Sequence, residues 1–389
     1  MVTLACVFNL FGSSHAAHVE PLPLVYSAEY NLGFGSIIDN LFSLIHPFDI
    51  RKYEKIYEHL KTRFNLSEHN FYLPQAVTND DLREVHEQRY LDSLQHSWVI
   101  SQGIDVGYAL AGLSGPLLEK LLLYPLRVAT GGTIKAAELA LKYGWSINLA
   151  GGFHHAKPHQ GEGGCFYADV PLAIKRLHDV NPDLKVLIVD LDAHQGNGNA
   201  HYAQHDKRIF IFDMYNKNEY PVYDLRIQEN PLYDGKQALK HVQFPCALDG
   251  GYMGTTAFSK YVGLSIPWFS DWPLIGAIDI PVLRRVDDNE YLSLLSTKLP
   301  EALSQLQQQS NKPDLIIYNA GSDIFAEDDL GILNISASGI LRRDILVWNL
   351  ARNNNIPIMM VPSGGYGPKS AQIVAASMEA IVHIELERK

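Results

Sequence analysis

Cysteine is scarce in this chain: three thiols in 389 residues, at Cys6, Cys165 and Cys246. Three scattered thiols can neither staple a disulfide framework nor build a Cys-rich zinc module. They fit a reducing compartment, so a cytoplasmic location is expected. Basic charge is in deficit too. The formal net charge is −11, whereas a nucleic-acid binder shows a basic face, so no direct nucleic-acid binding is expected. Leu341-Arg-Arg-Asp344 is too short for a localisation cluster. No uninterrupted apolar run reaches the ~18 residues of a membrane span. The apolar start, Met1 to Phe11, lacks a positive lead and is broken by Asn9, so it reads as an extension and not as a signal peptide. Repeats, heptads and low-complexity tracts are absent as well.

What the chain does have is apolar bulk: 47% hydrophobic against 19% charged, enough for a large core. Length alone suggests two or three domains. The groups that must meet are spread from residue 151 to residue 366, however, so residues 1–389 read as a single catalytic domain.

The most informative stretch is Asp190-Leu-Asp192-Ala-His194. It ends Lys185-Val-Leu-Ile-Val189, a short apolar run that reads as a buried parallel strand. Alternation along a strand would point Asp190, Asp192 and His194 the same way. Two carboxylates buried side by side need a cation or donors to compensate them. Three further apolar runs end in the same manner. Trp145 to Leu149 leads into Ala150-Gly-Gly-Phe-His154-His155. Asp314 to Asn319 leads into Ala320-Gly-Ser-Asp323. Ile356 to Val361 leads into Ser363-Gly364-Gly365-Tyr366. In open α/β sheets, ligands bind where such strand ends gather.

The assembled groups suit metal-assisted hydrolysis. Asp192, His194 and Asp323 would give zinc three ligands and leave one position open. Zinc held so acidifies its water and polarises a carbonyl. His154 and His155 would handle the protons. Tyr366, on a Gly-Gly hinge, could aim its hydroxyl at an oxyanion. Asp190 stays open at this point between metal ligand and outer partner.

These residues resemble those of the zinc-dependent histone deacetylase family, and specifically its class IV branch. The motifs are GGFHH at 151–155, DLDAHQGNG at 190–198, YNAGSDI at 318–324 and SGGY at 363–366. Outside the site, LPLVYSAEYN at 22–31, HPFD at 46–49, VHEQRYL at 85–91 and LRVATGGT at 126–133 also match. The resemblance implies a doubly wound α/β fold of the arginase–deacetylase type: a mainly parallel sheet flanked by helices. It implies zinc on Asp192, His194 and Asp323, with His155 as base and acid, and His154 as its electrostatic partner held by Asp190. Tyr366 becomes the oxyanion-stabilising hydroxyl. A structural potassium ion is implied at Asp190, Asp192, His194 and Asp213. Gly163 falls where a backbone carbonyl meets the acyl-lysine amide, with Gly164, Gly364 and Gly365 also beside substrate.

Two positions depart from the commoner family pattern. Asn197 stands where many members carry an aspartate behind the second histidine; a neutral partner should let His155 titrate lower. Gly164 stands where an aromatic usually lines the acyl-lysine channel. Either the channel is wider here, or Phe166 swings round to fill the place. Cys165, beside the channel, reads as a small buried hydrophobe in preference to an oxidisable thiol.

The implied substrate is an acyl-lysine protein or peptide, with a tilt toward long fatty chains. Acylated polyamines are the alternative. A catalytically silent acyl-lysine-binding module is a third reading, disfavoured because no ligand, histidine or tyrosine is missing. Residues 225–276 read as an insertion on the active-site face. Trp268, Phe269 and Trp272 would serve there as a lid, a recognition surface or a homo-oligomer contact. Helices are expected over Thr133–Tyr143, capped by Thr133 and stopped by Gly144, over Ser336–Asn353, and over Ala371–Glu385.

Overall fold

The computed structural model describes residues 21–33, 47–104, 110, 112–204, 206–216, 220–221, 244–248 and 286–388. The Met1–Phe11 start, His46 and most of the 225–276 stretch, with Trp268, Phe269 and Trp272, lie outside those residues.

The strands are β1 (Leu24–Val25), β2 (Trp145–Asn148), β3 (Val186–Asp190), β4 (Ile209–Asn216), β5 (Phe244–Leu248), β6 (Leu315–Asn319) and β7 (Ile358–Val361). The four expected apolar runs are β2, β3, β6 and β7, while β1, β4 and β5 were not read as strands. They form one sheet in the order β1-β2-β7-β6-β3-β4-β5, and every pairing is parallel. Strand β5 falls inside the stretch read as an insertion and pairs with β4 from Phe212↔Phe244 to Asn216↔Leu248. That stretch therefore contributes an edge strand to the sheet.

A parallel sheet must bury both faces. Val186 and Ile188 of β3 join the layer under α2 (Tyr124–Tyr143) and α3 (Asp169–Val180). Leu187 and Val189 face the opposite core, built with α5 (Asp288–Gln308), α6 (Ala337–Asn353) and α7 (Ser370–Glu387). α1 (Lys52–Arg63) packs on α7, and the short α4 (Asn197–Ala203) follows the β3 loop. This is the doubly wound layer expected. No described helix is long and apolar enough to cross a membrane.

Two helix readings shift. α2 starts nine residues before Thr133, at Tyr124, so Thr133 is no cap. Its buried hydroxyl donates to Asp169 Oδ2 at 2.7 Å. Leu141 faces outward, 38% exposed, while Gly144 ends the helix at φ +82° as expected. α6 is capped by Ser336, whose side chain accepts from Gly339 N. On its inner face the structure buries Arg343 and Asp344 beside Ile340, Val347 and Trp348, and leaves Ile345 half-exposed.

Candidate active site

In β3–β4 and β3–β6 register, Asp190 stands level with Asp213 and with Asn319, so the loops after these strands leave the sheet at one edge. β3 stops at Asp190, and the alternation expected through His194 gives way to a turn. Asp190 Oδ2 meets His154 Nδ1 at 3.0 Å and Oδ1 accepts from Asn319 Nδ2 at 2.8 Å. Asp192 and His194 turn instead to Asp323. His194 Nδ1 lies 3.0 Å from Asp192 Oδ1 and 2.9 Å from Asp323 Oδ2. One ligand atom from each of the three falls within 4.8 Å of the others, all buried. His194 Nε2 faces Leu330 O at 3.2 Å. That carbonyl takes the ring proton and leaves Nδ1 as the lone-pair donor. Asp190 thus faces His154 and Asn319 and not the Asp192–His194–Asp323 cluster.

Tight backbone packing brings the loops together. Gly152 has φ +89°, and a Cβ there would collide with Asn319 Oδ1 and come 2.9 Å from Ser363 Cα; only glycine fits. Asp169, at the start of α3, accepts from Gly152 N and Phe153 N, both at 2.8 Å. Burial raises its carboxyl pKa even against these donors. Gly364 N donates to Asp192 Oδ2 at 2.9 Å, and Ser363 Oγ donates to the same oxygen at 2.9 Å.

Two buried cations clamp these loops from behind. Lys52 Nζ donates to Ser363 O at 3.0 Å and to Gly364 O at 2.9 Å. Burial lowers its pKa to about 8, against the pull of Asp323 and Asp192. Arg343 Nη1 donates to Leu191 O at 2.9 Å and Gly321 O at 2.6 Å, tying the two ligand loops together. Neither residue, nor Asp169, was singled out in the sequence. Lysine and arginine on helices are solvated by default, and only Arg343-Asp344 in an inward stripe carried a hint.

The charges sort unevenly. Burial alone would lower the His154 pKa, but Asp190 and Asp192 raise it to about 9. Burial, then the neighbouring His154 and His194, push His155 well below its ordinary value. Asp192 would be raised by burial, yet His154 and His194 hold it well below the carboxylate range. Burial, then Asp192, lift Asp323 to about 7. Two carboxylates facing one point, one of them unable to ionise comfortably, describe a seat for a cation.

A cavity of about 80 Å³ connects His154, His155 and Tyr366 to Phe153, Gly163, Gly164 and Cys165, and to the aliphatic Leu32, Ile104, Leu122 and Leu126. The Gly163 backbone lies against His155: a Cβ there would be 2.7 Å from His155 Cδ2. At Gly164 a Cβ would meet nothing within 4 Å among the described residues. Phe166 does not fill that space. It is 1% exposed, lies outside the cavity wall, and packs so close to Gly103 that a Cβ there would stand 2.6 Å from its ring. Tyr220 sets its ring edge-on to His155 at 5.2 Å. Tyr366 packs edge-on to His194 at 6.2 Å, and its backbone N–H donates to Asp328 Oδ2 at 2.7 Å. Gly365 follows Gly364 at φ +131°. Burial drives the Cys165 thiol well above its ordinary pKa, which favours the buried-hydrophobe reading.

The sequence profile of the histone deacetylase domain matches residues 46–383. The chain belongs to the histone deacetylase family. It is 34% identical over 361 residues to histone deacetylase 2 of Arabidopsis thaliana, spanning 93% of this chain and 79% of that one. Similarity to the acetoin utilization protein AcuC of Staphylococcus aureus is lower, 24% over 327 residues, covering 82% and 72% of the two chains. Among solved structures, the HDA15 HD domain superposes with a TM-score of 0.61 at 16% identity, covering 94% of this chain and 89% of that one. The deacetylase domain thus carries the chemistry of the site: hydrolysis of an amide in an acylated substrate.

Proposed function

We propose that this deacetylase-family protein is a zinc-dependent lysine deacylase of the class IV kind, acting on acyl-lysine in proteins or peptides. The observation that carries this reading is the Asp192–His194–Asp323 cluster with one cationic histidine, one neutral histidine and a tyrosine around one cavity. The donor set of two carboxylates and one imidazole fits zinc, which when bound supplies a Lewis acid and an acidified water.

The remaining work falls to the chain. His155, neutral and hydrogen-bonded through Nδ1 to Asn197 Oδ1 at 2.8 Å, keeps Nε2 free to take a proton and later hand it to the departing amine. His154, cationic against Asp190, stabilises negative charge gathering at the carbonyl. The Tyr366 hydroxyl, whose pKa is raised by burial and then by Asp192 and Asp323, stays protonated and donates to the oxyanion. Gly163 and Gly364 line the cavity with backbone, while Gly365 lies against Ser322, Ser370 and Lys52 outside its wall.

A structural potassium ion fits beside Asp190 and Asp213. Among the described residues Asp213 Oδ1 and Asn319 Oδ1 are buried without a hydrogen-bond partner. Burial and then Asp190 raise the Asp213 carboxyl pKa, a strain that a cation would relieve. Asp192 and His194, whose side chains are engaged at Asp323, would reach it only through backbone oxygens.

The open wall at Gly164, continuous with aliphatic Leu32, Ile104, Leu122 and Leu126, supports long acyl chains over acetyl. The test is mass-spectrometric deacylation of one lysine peptide carrying acetyl through myristoyl, beside an acylated polyamine, with Tyr366→Phe as control. Loss of the long chains, abolished in the variant, is expected. Turnover of the polyamine alone would overturn the protein-substrate reading.

A further inference from the structure

Behind Asn197 stands a second buried pair that the reaction described above does not use. Asn197 Nδ2 donates to Glu162 Oε1 at 2.7 Å. The same oxygen lies 2.7 Å from Lys157 Nζ, and Glu162 Oε2 accepts from Gln160 Nε2 at 2.6 Å. All four groups share one chain: Lys157, Glu162, Asn197, His155. Glu162 and Lys157 are 7% and 4% exposed, so neither is a solvated surface charge. Burying such a pair is costly, and this one ends at the residue that faces His155.

We propose that Glu162 is a positioning residue that sets the tautomer of His155 from two hydrogen bonds away. The logic follows from what each group can donate. Paired with Lys157, the Glu162 carboxylate can only accept. Asn197 must therefore turn its NH2 toward Glu162 and its carbonyl oxygen toward His155. An amide oxygen also only accepts, so His155 Nδ1 must carry the ring proton, and Nε2 keeps the lone pair. Without Glu162, Asn197 could turn over, offer NH2 to Nδ1, and move the proton to Nε2. The negative charge that other family patterns place directly behind this histidine stands here one residue further out, neutralised by Lys157.

That arrangement makes a counter-intuitive demand. Asn197→Asp, which restores the commoner residue, would set two buried carboxylates 2.7 Å apart in the place of one hydrogen bond. Exchanging the groups, with Asn197→Asp and Glu162→Gln together, restores one amide and one carboxylate to the pair. The inference rests on reading His155 as the base, so one arm of its test does not need turnover.

In the zinc-loaded full chain, kcat of the charge-neutral pair Glu162→Met/Lys157→Met is expected to fall at least about tenfold with KM little changed, and Asn197→Asp/Glu162→Gln, which keeps an acceptor-only group facing Nδ1, to retain most of it. Wild-type kcat in Glu162→Met/Lys157→Met, or an equal loss in Asn197→Asp/Glu162→Gln, overturns the proposal. The second arm reads the His155 ring by long-range proton–nitrogen NMR, its signals located by their loss in His155→Gln. Wild type is expected with the proton on Nδ1. The charge-neutral pair Glu162→Met/Lys157→Met is expected to show the Nε2-protonated form as well. An unchanged tautomer in a variant that melts normally contradicts the proposal, whether or not any acyl-lysine is turned over.

Discussion

His154 and His155 stand with ring centroids 4.0 Å apart, yet their surroundings push their protons in opposite directions. Asp190 and Asp192 overcome burial to hold the first imidazole cationic up to about 9. The second is kept neutral by burial and by its charged neighbours. Neighbouring groups driven apart in this way fit the proposed division between base and electrostatic partner.

A base whose pKa is depressed stays neutral, and therefore active, down through the ordinary histidine range. kcat/KM should be flat on the acid side to about pH 6.5 and fall only below it. His155→Gln should lose about 1000-fold in kcat, and His154→Gln less. Steady-state rates from pH 5 to 9 check both.

Gly164 has φ +77°, and among the described residues nothing stands within 4 Å of where its side chain would begin. Gly164→Phe should put back a channel wall at a strain cost of about 1 kcal/mol. Turnover of myristoyl-lysine is expected to fall at least about tenfold relative to acetyl-lysine. Competition between the two peptides in one tube measures the ratio directly.

His86, in the VHEQRYL segment, is structural. Nδ1 faces Lys157 O at 3.0 Å, and Nε2 accepts from Ala168 N at 3.0 Å. A proton on Nε2 would face another N–H. Burial lowers the His86 pKa to about 4 despite the carbonyls of Lys157 and Pro158. The unfolded chain binds this proton near 6.5. Its contribution is therefore complete above about 6.5 and is lost as pH falls toward 4, at most about 3 kcal/mol. Denaturant melts from pH 7 to 4.5 should show this slope, and His86→Gln should flatten it.

Lys52 holds the backbone that carries Tyr366. Lys52→Met removes the donor to Ser363 O and Gly364 O. The hydroxyl should wander, lowering kcat about tenfold or more with a smaller effect on KM. Loss of binding with an intact kcat would place Lys52 in substrate recognition instead.

The strands were legible because a parallel sheet buried on both faces writes itself as short apolar runs, such as Val186–Asp190 and Leu315–Asn319. The Asp192, His194 and Asp323 cluster was legible because acids and imidazole at strand ends have no role in a core. Thr133 misled because a threonine before an apolar stripe looks the same capping a helix or hydrogen-bonding to a buried carboxylate within one. Lys52 and Glu162 were silent, and Arg343 was marked only by its place in an inward stripe. Lys52 and Arg343 owe their burial to partners more than a hundred residues away, Ser363 and Leu191, and Glu162 to Asn197 across a loop. No local pattern records either. Gly164 lay between: the sequence offered an open wall or a displaced Phe166, and only packing against Gly103 separates them.

The most direct test is to strip the protein with a chelator and titrate zinc back while following hydrolysis of an acyl-lysine peptide. Turnover should be absent at first, rise linearly, and saturate at about one equivalent, with no recovery in Asp323→Asn. Full turnover in the chelated protein, or recovery in Asp323→Asn equal to wild type, would contradict a metal seat formed by Asp192, His194 and Asp323.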